Sequence, residues 1–394
     1  MSLAAPVVPL PSREAPSGRP LLVYHPDYLT YRFSADHALR EVRGRLARDL
    51  IASILAPVEE RAPSLASEDA ILGTHQASYV KVVKRLSKDP VVAEPDFGLG
   101  PGDNPPFAGM YDAARLQVGG TLLACEEVRT GRFARAYNLG GGFHHAMPDR
   151  ASGFCIFNDI AIGIRHLLAT GVRRILYVDI DGHHGDGVQD AFYRDPRVLT
   201  ISLHEDGRFL FPGTGFADEI GEGEGKGYAV NVPLPPRTRD AGWTNAFDAI
   251  VPPLAEAFRP EVLVTQTGAD AHTADPLTHL ELTTESYEHA GARFDEIARR
   301  LCSNRWIAVG GGGYDVTTVP RVWALLYAAM VRRRPGNALP EDWRRECRRL
   351  VRAEPKDGTL RDASHPAEEA AVSRAVAKVI DEVQDHVFPI HSLR

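Results

Sequence analysis

The chain has 394 residues, of which 44% are hydrophobic and 25% charged, so it can bury a large core and is not disordered as a whole. Its net charge of −7 argues against a basic nucleic-acid-binding protein. We find no apolar run near the ~20 residues of a membrane span. The four scattered cysteines form no C-x-x-C pair, which indicates a reduced, cytoplasmic protein.

The two ends of the chain differ in character from its middle. Residues 1–19 are apolar but broken by prolines, and no basic segment precedes them, so we expect a flexible tail and not a signal peptide. Residues 335–394 contain charged helical segments without a chemical signature. We expect residues 20–394 to form one domain, with the segment 335–394 packing on it.

Short aliphatic runs alternate with segments of helical period, which is typical of an α/β fold with a mostly parallel sheet. Because these runs are continuously apolar, we expect helices on both faces of the sheet. Asn158 is the expected N-cap of one helix. The predicted strands are 21–24, 134–139, 175–180, 198–203, 262–267 and 306–309, and the predicted helices are 159–168, 243–258, 286–301 and 322–331.

Clusters of Gly, His and Asp follow four of the predicted strands directly. Open α/β sheets bind ligands at the carboxyl ends of their strands, so these loops are expected to converge on one site. The four clusters are residues 140–145, 181–186, 268–272 and 310–315.

Asp181 and His183 are two residues apart beyond one strand, so their side chains can point to the same side, and Asp270 follows another strand. Each Asp taken singly is better explained as a turn or N-cap residue. Three ligands with an open position are typical of a catalytic metal site. Two oxygens and one nitrogen fit zinc, and Fe(II) or Mn(II) are alternatives.

The adjacent histidines His144 and His145 follow a glycine-rich turn, where they can serve as metal ligands or as a general base and its electrostatic partner. Asp179 and Asp186 flank the metal motif, and each can orient one imidazole. The glycines 310–313 lack phosphate-loop spacing, and we expect them to carry Tyr314 into the site, where its hydroxyl can donate to an oxyanion.

These stretches together resemble the histone-deacetylase superfamily and, within it, the bacterial acetoin-utilization deacetylases. The narrower likeness lies in residues 269–272 and 275–280. The wider likeness runs in order from about residue 20 to residue 330 and is carried by residues 137–146, 152–159, 177–187, 211–215, 268–270 and 310–314.

The resemblance implies an arginase-like α/β/α domain with a zinc-dependent amidohydrolase site, in which Fe²⁺ is an alternative metal. Asp181, His183 and Asp270 match the metal ligands. His145 matches the general base and acid, which Asp186 backs. His144, which Asp179 backs, matches the electrostatic partner, and Tyr314 the oxyanion donor. A structural K⁺ is also implied, with ligands at Asp179, Asp181, Ser202 and the main-chain oxygens of His183 and Leu203.

For the substrate, the resemblance implies Nε-acetyl-lysine in a protein or peptide, with an acyl-CoA synthetase a better candidate than a histone. The matching positions place Gly153, Phe154 and Phe211 along a narrow channel for the lysine stem. Leu277 matches an apolar gatekeeper and Asp103 a carboxylate at the rim. Arg43 falls near an arginine of an internal acetate-exit path.

Three other functions fit parts of this pattern. An acetylpolyamine amidohydrolase would need an acidic gatekeeper, which Leu277 is not, although Glu205 or Asp206 in the charged loop 205–208 can replace it. A two-manganese ureohydrolase would need a further Asp ligand where His272 stands. A non-catalytic acyl-lysine-binding protein would have no need of the base His145.

Overall fold

The computed structural model describes residues 18–364 and 366–393. The predicted tail therefore lies outside the described residues, apart from the exposed Gly18 and Arg19 that precede the first strand. None of the helices in the described part of the chain is long and apolar enough to cross a membrane.

An eight-stranded sheet forms the centre of the molecule, and every strand pair in it is parallel, as predicted. The strand order is β2-β1-β3-β8-β7-β4-β5-β6. The strands are β1 (Leu21–Val23), β2 (Glu59–Arg61), β3 (Arg135–Asn138), β4 (Ile175–Asp179), β5 (Val198–Glu205), β6 (Ala229–Leu234), β7 (Val262–Gln266) and β8 (Trp306–Val309).

Strands β2 and β6 were not predicted, and both lie at the edges of the sheet. β2 is exposed and consists of three charged residues, so it has no apolar signal. β6 is buried but contains Asn231 and Pro233, and proline is tolerated mainly on edge strands. Both strands depend on pairing with a neighbour more than on their own sequence.

Two layers of helices cover the sheet, because alternate residues of each strand point to opposite faces. Leu22 and Leu176 face a core with α1 and α7–α11, whereas Leu21 and Ile175 face a core with α4–α6. The helices are α1 (Val42–Leu55), α2 (Glu68–Leu72), α3 (Ala77–Lys88), α4 (Met110–Arg129), α5 (Asp159–Ala169), α6 (Asp186–Phe192), α7 (Asp240–Phe258), α8 (Thr284–Leu301), α9 (Thr318–Met330), α10 (Glu341–Val351) and α11 (Ala370–Val387).

Capping side chains fix the starts of the helices next to the polar loops. Asn158 caps α5 as predicted, because its Oδ1 accepts a hydrogen bond from the Ala161 amide at 2.9 Å. α9 begins four residues before the predicted start, since the Asp315 carboxylate accepts from the amides of Thr317 and Thr318 at 3.0 and 2.8 Å. Asp315 thus holds the turn that joins the glycine-rich loop to α9.

The C-terminal helices pack on the same molecule. The Trp343 indole of α10 donates to the Leu46 carbonyl in α1 at 2.8 Å. α11 buries Val376, Val383 and Val387 against α7 and the edge strand β6. The exposed hydrogen-bonding edge that β6 would otherwise present is thereby covered.

Between α10 and α11, Asp362 joins the C-terminal segment to the loops at the carboxyl ends of the strands. Its carboxylate is hydrogen-bonded to His272 Nε2 at 2.9 Å, to Arg321 Nη1 at 2.7 Å and to the Thr284 amide at 3.1 Å. Burial alone would raise the pKa of Asp362, but the His272 hydrogen bond and the Arg321 charge outweigh it and lower that pKa.

We expect Asp362→Asn to lower the free energy of unfolding at pH 7 by about 2 kcal/mol, because one amide oxygen cannot replace the bonds of a carboxylate. The folded-state pKa is depressed, so this contribution is present above the unfolded carboxyl pKa of about 4 and is lost as the pH falls. Urea unfolding at pH 7 and at lower pH measures both effects.

The control is Asp342→Asn, whose side chain is 92% exposed, and we expect it to change stability by less than about 0.5 kcal/mol. An equal change in the free energy of unfolding for the two substitutions would contradict a stabilising role for Asp362.

Candidate active site

The loops after β3, β4, β7 and β8 meet at one edge of the sheet. These strands are consecutive neighbours in the order β3-β8-β7-β4, so their carboxyl ends lie side by side. The four polar clusters of the sequence follow these four strands. Most of the polar side chains in these loops are buried.

Asp181, His183 and Asp270 form a buried cluster whose ligand atoms all lie within 4.8 Å of one another. His183 Nδ1 is 2.9 Å from Asp270 Oδ2 and 3.2 Å from Asp181 Oδ1. Two carboxylates and one imidazole that converge in a buried position fit a divalent metal such as zinc. The residues present therefore fit the metal that the sequence predicts.

Backbone amides and one unpredicted side chain hold these ligands in place. Asp181 Oδ2 accepts from Gln266 Nε2 at 2.6 Å and from the Gly312 amide at 2.7 Å. Asp270 Oδ1 accepts from the Gly182 amide at 2.6 Å. A Cβ on Gly312 would lie 2.1 Å from Asp270 Oδ2, so the close approach of this loop requires glycine.

Gln266 was missed in the sequence, although it carried a usable signal. It is a polar residue at the last position of the otherwise apolar strand β7, and it is fully buried. A buried amide at a strand end needs a partner, and here the partner is the carboxylate of Asp181 in the buried cluster.

The two acidic groups of the cluster repel one another. Burial raises the pKa of Asp270, and the negative charge of Asp181 raises it further. For Asp181, burial would also raise the pKa, but the charge of His144 and the hydrogen bond from His183 outweigh it and hold that pKa well below its usual range. A bound cation relieves the repulsion between the two carboxylates.

Each histidine of the adjacent pair is held by its own carboxylate. His144 Nδ1 is 2.8 Å from Asp179 Oδ2, and His145 Nδ1 is 2.7 Å from Asp186 Oδ1. The two Nε2 atoms are 2.9 Å apart. Because both Nδ1 atoms are engaged by carboxylates, the Nε2 atoms are the ones available for proton transfer.

The pKa values of the two imidazoles are shifted in opposite directions. Burial lowers the pKa of His145, and the positive charge of His144 lowers it further. Burial would lower the pKa of His144 as well, but the charges of Asp179 and Asp181 outweigh it and raise that pKa to about 9. His145 is therefore the neutral partner, which can accept a proton.

Tyr314 follows the glycine-rich loop and lines the same cavity as the histidine pair and Asp181. Its amide donates to Asp275 Oδ2 at 2.6 Å, and Arg43 Nη1 donates to the preceding Gly313 carbonyl at 2.6 Å. Among the described residues, we see no hydrogen bond from the Tyr314 hydroxyl. The hydroxyl is therefore available to a ligand in the cavity.

Aromatic rings surround the entrance to this cavity. Phe211, 41% exposed, packs edge-on against His145 with ring centroids 5.0 Å apart. Phe154 packs edge-on against Tyr314 at 5.6 Å. A Cβ on Gly153 would lie 2.4 Å from His145 Cδ2, so only glycine fits at position 153 beside the His145 ring.

Two further positions, Asp103 and Leu277, were predicted to contact the substrate. Asp103 is exposed, and its carbonyl is hydrogen-bonded to His37 Nε2 at 3.2 Å. The His37 ring in turn contacts Phe154 at 4.6 Å. Leu277 is half-buried, and its amide donates to Asp275 Oδ1 at 3.0 Å.

The two acidic residues at the end of β5 and directly after it are not free. Glu205 accepts from the His279 amide at 2.6 Å and is 2.8 Å from His279 Nδ1. Asp206 pairs with Arg208. Both carboxylates are buried, at 1% and 2% exposure, so neither projects into the entrance as a gatekeeper.

The expected potassium ligands lie next to the metal cluster. Asp179 and Ser202 are register partners on β4 and β5, and both are buried. Asp179 Oδ1 accepts from the Asp181 amide at 3.1 Å, while Ser202 Oγ is 2.8 Å from His204 Nδ1. Potassium binding there stays a prediction.

Comparison with known proteins gives the same picture. The family described as "Histone deacetylase domain" matches residues 37–330. Acetoin utilization protein AcuC of Bacillus subtilis is 44% identical over 328 residues, which cover 82% of this chain and 85% of the relative. AcuC of Staphylococcus xylosus is 35% identical over 328 residues, with coverages of 82% and 85%.

Two solved structures are similar over nearly the whole chain. The crystal structure of an HDAC homolog from Aquifex aeolicus has a TM-score of 0.82 and 30% identity, covering 92% of this chain and 100% of that one. An HDAC homolog complexed with SAHA has a TM-score of 0.84 and 30% identity, with coverages of 93% and 100%. The chain therefore belongs to the histone deacetylase family of hydrolases and is similar to the acetoin utilization protein AcuC.

Proposed function

We propose that this deacetylase is zinc-dependent and hydrolyses Nε-acetyl-lysine in proteins to lysine and acetate. The observation that carries the proposal is one cavity lined by two carboxylate-backed imidazoles, a tyrosine and Asp181, which belongs to the buried Asp-His-Asp cluster. Fe²⁺ is an alternative metal, and K⁺ is a structural cofactor.

Held by Asp181, His183 and Asp270, a divalent metal would polarise the acetyl carbonyl and lower the pKa of a water molecule. The protein side chains supply the proton transfers. His145 Nε2 accepts the proton of the attacking water, while Asp186 keeps the ring oriented through Nδ1. His145 then returns the proton to the departing lysine amine.

The oxyanion that develops on the acetyl group is stabilised by the Tyr314 hydroxyl, which lies in the same cavity as the histidines. His144, whose pKa is raised by Asp179, adds a positive charge next to the His145 imidazole. Burial of these groups strengthens both interactions, because water does not screen them.

The entrance favours an acyl-lysine over an acetylated polyamine. Phe154 and Phe211 present aromatic faces that suit the four methylenes of a lysine stem. Leu277, the residue at the expected gatekeeper position, is apolar. Glu205 and Asp206, the carboxylates able to attract a second ammonium group, are engaged by His279 and Arg208. The polyamine alternative thus loses the acidic groups on which it depends.

The substrate partner that we propose is an acetylated metabolic enzyme, such as an acyl-CoA synthetase, since the similar proteins are named for acetoin utilization. The four cysteines are free and buried, which supports a reducing, cytoplasmic location. We propose that residues 20–394 act as one catalytic domain, because α10 and α11 pack on α1 and α7.

Metal binding is tested with Asp270→Asn, which keeps the size of the side chain and removes one anionic ligand. We expect its affinity for Zn²⁺ to fall by more than the roughly 10–100-fold that loss of an outer hydrogen bond costs. Equilibrium dialysis with elemental analysis measures the bound metal. Asp248→Asn on α7 is the control and should retain it; full zinc occupancy in Asp270→Asn would contradict the assignment.

The role of His145 is tested with Asp186→Asn, which we expect to lower kcat/KM by about 10–100-fold. Asp186 raises the pKa of His145, so its loss lowers that pKa. The reaction needs neutral His145, and the acid limb of the kcat/KM profile should therefore move to lower pH. Asp190→Asn, an exposed carboxylate of the same helix, should leave the profile unchanged, and an unmoved limb in Asp186→Asn would argue against this base.

Substrate choice is tested by acetate release from an acetyl-lysine peptide and from acetylputrescine at equal concentration by the zinc-loaded enzyme. We expect the peptide to be hydrolysed faster, and Leu277→Glu to shift the preference towards acetylputrescine, because a carboxylate at the entrance attracts the second ammonium group. Leu65→Glu, at an exposed leucine outside this entrance, should not shift it. Faster hydrolysis of acetylputrescine by the unaltered enzyme would overturn the proposed substrate.

A further inference from the structure

Asp275 is a buried carboxylate that lies between two loops of the site and has no role in the proton transfers described above. It is 9% exposed and follows β7 in the same loop as Asp270. Its own amide donates to the His272 carbonyl at 2.8 Å, which fixes its backbone. Both of its oxygens accept hydrogen bonds from backbone amides of residues at the entrance or in the cavity.

The two amides belong to Tyr314 and Leu277. Asp275 Oδ2 accepts from Tyr314 N at 2.6 Å, and Oδ1 accepts from Leu277 N at 3.0 Å. A carboxylate has two acceptor oxygens, so it can serve both amides at once. One side chain thereby links the backbone of the oxyanion donor to that of the gatekeeper.

Tyr314 needs such an anchor because four glycines precede it. Gly311 and Gly313 have φ angles of +149° and +117°, which glycine adopts without strain, and neither has a side chain to pack. The loop is held by Arg43 at the Gly313 carbonyl and by Asp181 at the Gly312 amide. Asp275 adds the bond at the amide of the tyrosine itself.

A small displacement of this tyrosine matters for the reaction. A donor acts on an oxyanion only when it lies about 2.7–3.1 Å from the oxygen, and an error of about 1 Å in placement can reduce the rate about a hundredfold. The Tyr314 hydroxyl has no hydrogen bond to the described protein that would correct its position, so the position depends on the backbone anchor and on the packing of the ring against Phe154.

We propose that Asp275 is a positioning residue, which holds the Tyr314 backbone so that the Tyr314 hydroxyl reaches the oxyanion. The inference rests on the proposed hydrolysis and adds a residue to its machinery. Asparagine at this position has one acceptor oxygen and an NH₂ group, which cannot accept from an amide, so Asp275→Asn must lose one of the two bonds.

A double-mutant cycle on an acetyl-lysine peptide separates positioning from general stability. We expect Tyr314→Phe to lower kcat about 10²–10³-fold, as removal of one oxyanion donor does. Asp275→Asn should lower kcat about 10–100-fold with little change in KM. The double variant should be no slower than Tyr314→Phe alone, because Asp275 acts through the hydroxyl that is already absent.

The proposal would be overturned if the two reductions of kcat multiplied in the double variant. It would also be overturned if kcat were unchanged in Asp275→Asn. Loss of bound zinc from Asp275→Asn, measured by elemental analysis, would also overturn it, because the effect would then arise at Asp270. Asp240→Asn is the matched control: Asp240 is buried and accepts from the Thr283 amide and the Ser286 hydroxyl at 2.9 and 2.6 Å. Asp240→Asn should lower stability and leave kcat unchanged.

Amide hydrogen exchange of the peptide containing Tyr314 tests the anchor without any substrate. We expect exchange at this amide to become about tenfold faster or more in Asp275→Asn, and not in Asp240→Asn. If the enzyme releases no acetate but exchange responds in this way, the proposed function fails and the anchor stands. If exchange is unchanged at the Tyr314 amide and also at the Leu277 amide, the anchor itself is refuted, because asparagine must lose one of the two bonds.

Discussion

Several ionisable groups are buried together where four strands end, and each must be neutralised or hydrogen-bonded to remain there. An isolated charge in such a place costs several kcal/mol, so it is tolerated only when paired or bound to a metal. Asp179, Asp181 and Asp270 are each at most 1% exposed, and each accepts bonds from imidazoles or backbone amides. The close approach of glycine backbones follows from this requirement, because a side chain on Gly312 would displace the carboxylates.

Much of the fold is visible in the sequence because the central strands are buried on both faces. β4, β7 and β8 consist mostly of apolar residues, and their positions follow from that pattern. β2 and β6 have weaker signals, since one is fully charged and the other contains Asn231 and Pro233. Their strand conformation is decided by pairing with β1 and β5, and sequence periodicity does not report such contacts.

The site is visible in its residue types and less visible in its contacts. Adjacent histidines and Asp-Gly clusters after strands are unusual enough to be noticed one by one. Gln266 and Asp275 were not noticed, because their importance comes from partners 85 and 39 residues away. Conversely, the sequence suggests that the Glu205 carboxylate can attract a cationic substrate, whereas in the fold this carboxylate is buried and bound to His279.

The bonds of Asp362 have a consequence for how the chain can vary. The family model matches residues 37–330, and Asp362, which lies outside that range, binds His272, two residues after Asp270. The loop that carries Asp270 is therefore held in part by a segment that the family model does not include. Substitutions on the outward faces of α10 and α11 are free to accumulate, whereas any relative with a different C-terminal segment needs another acceptor for the imidazole at this position.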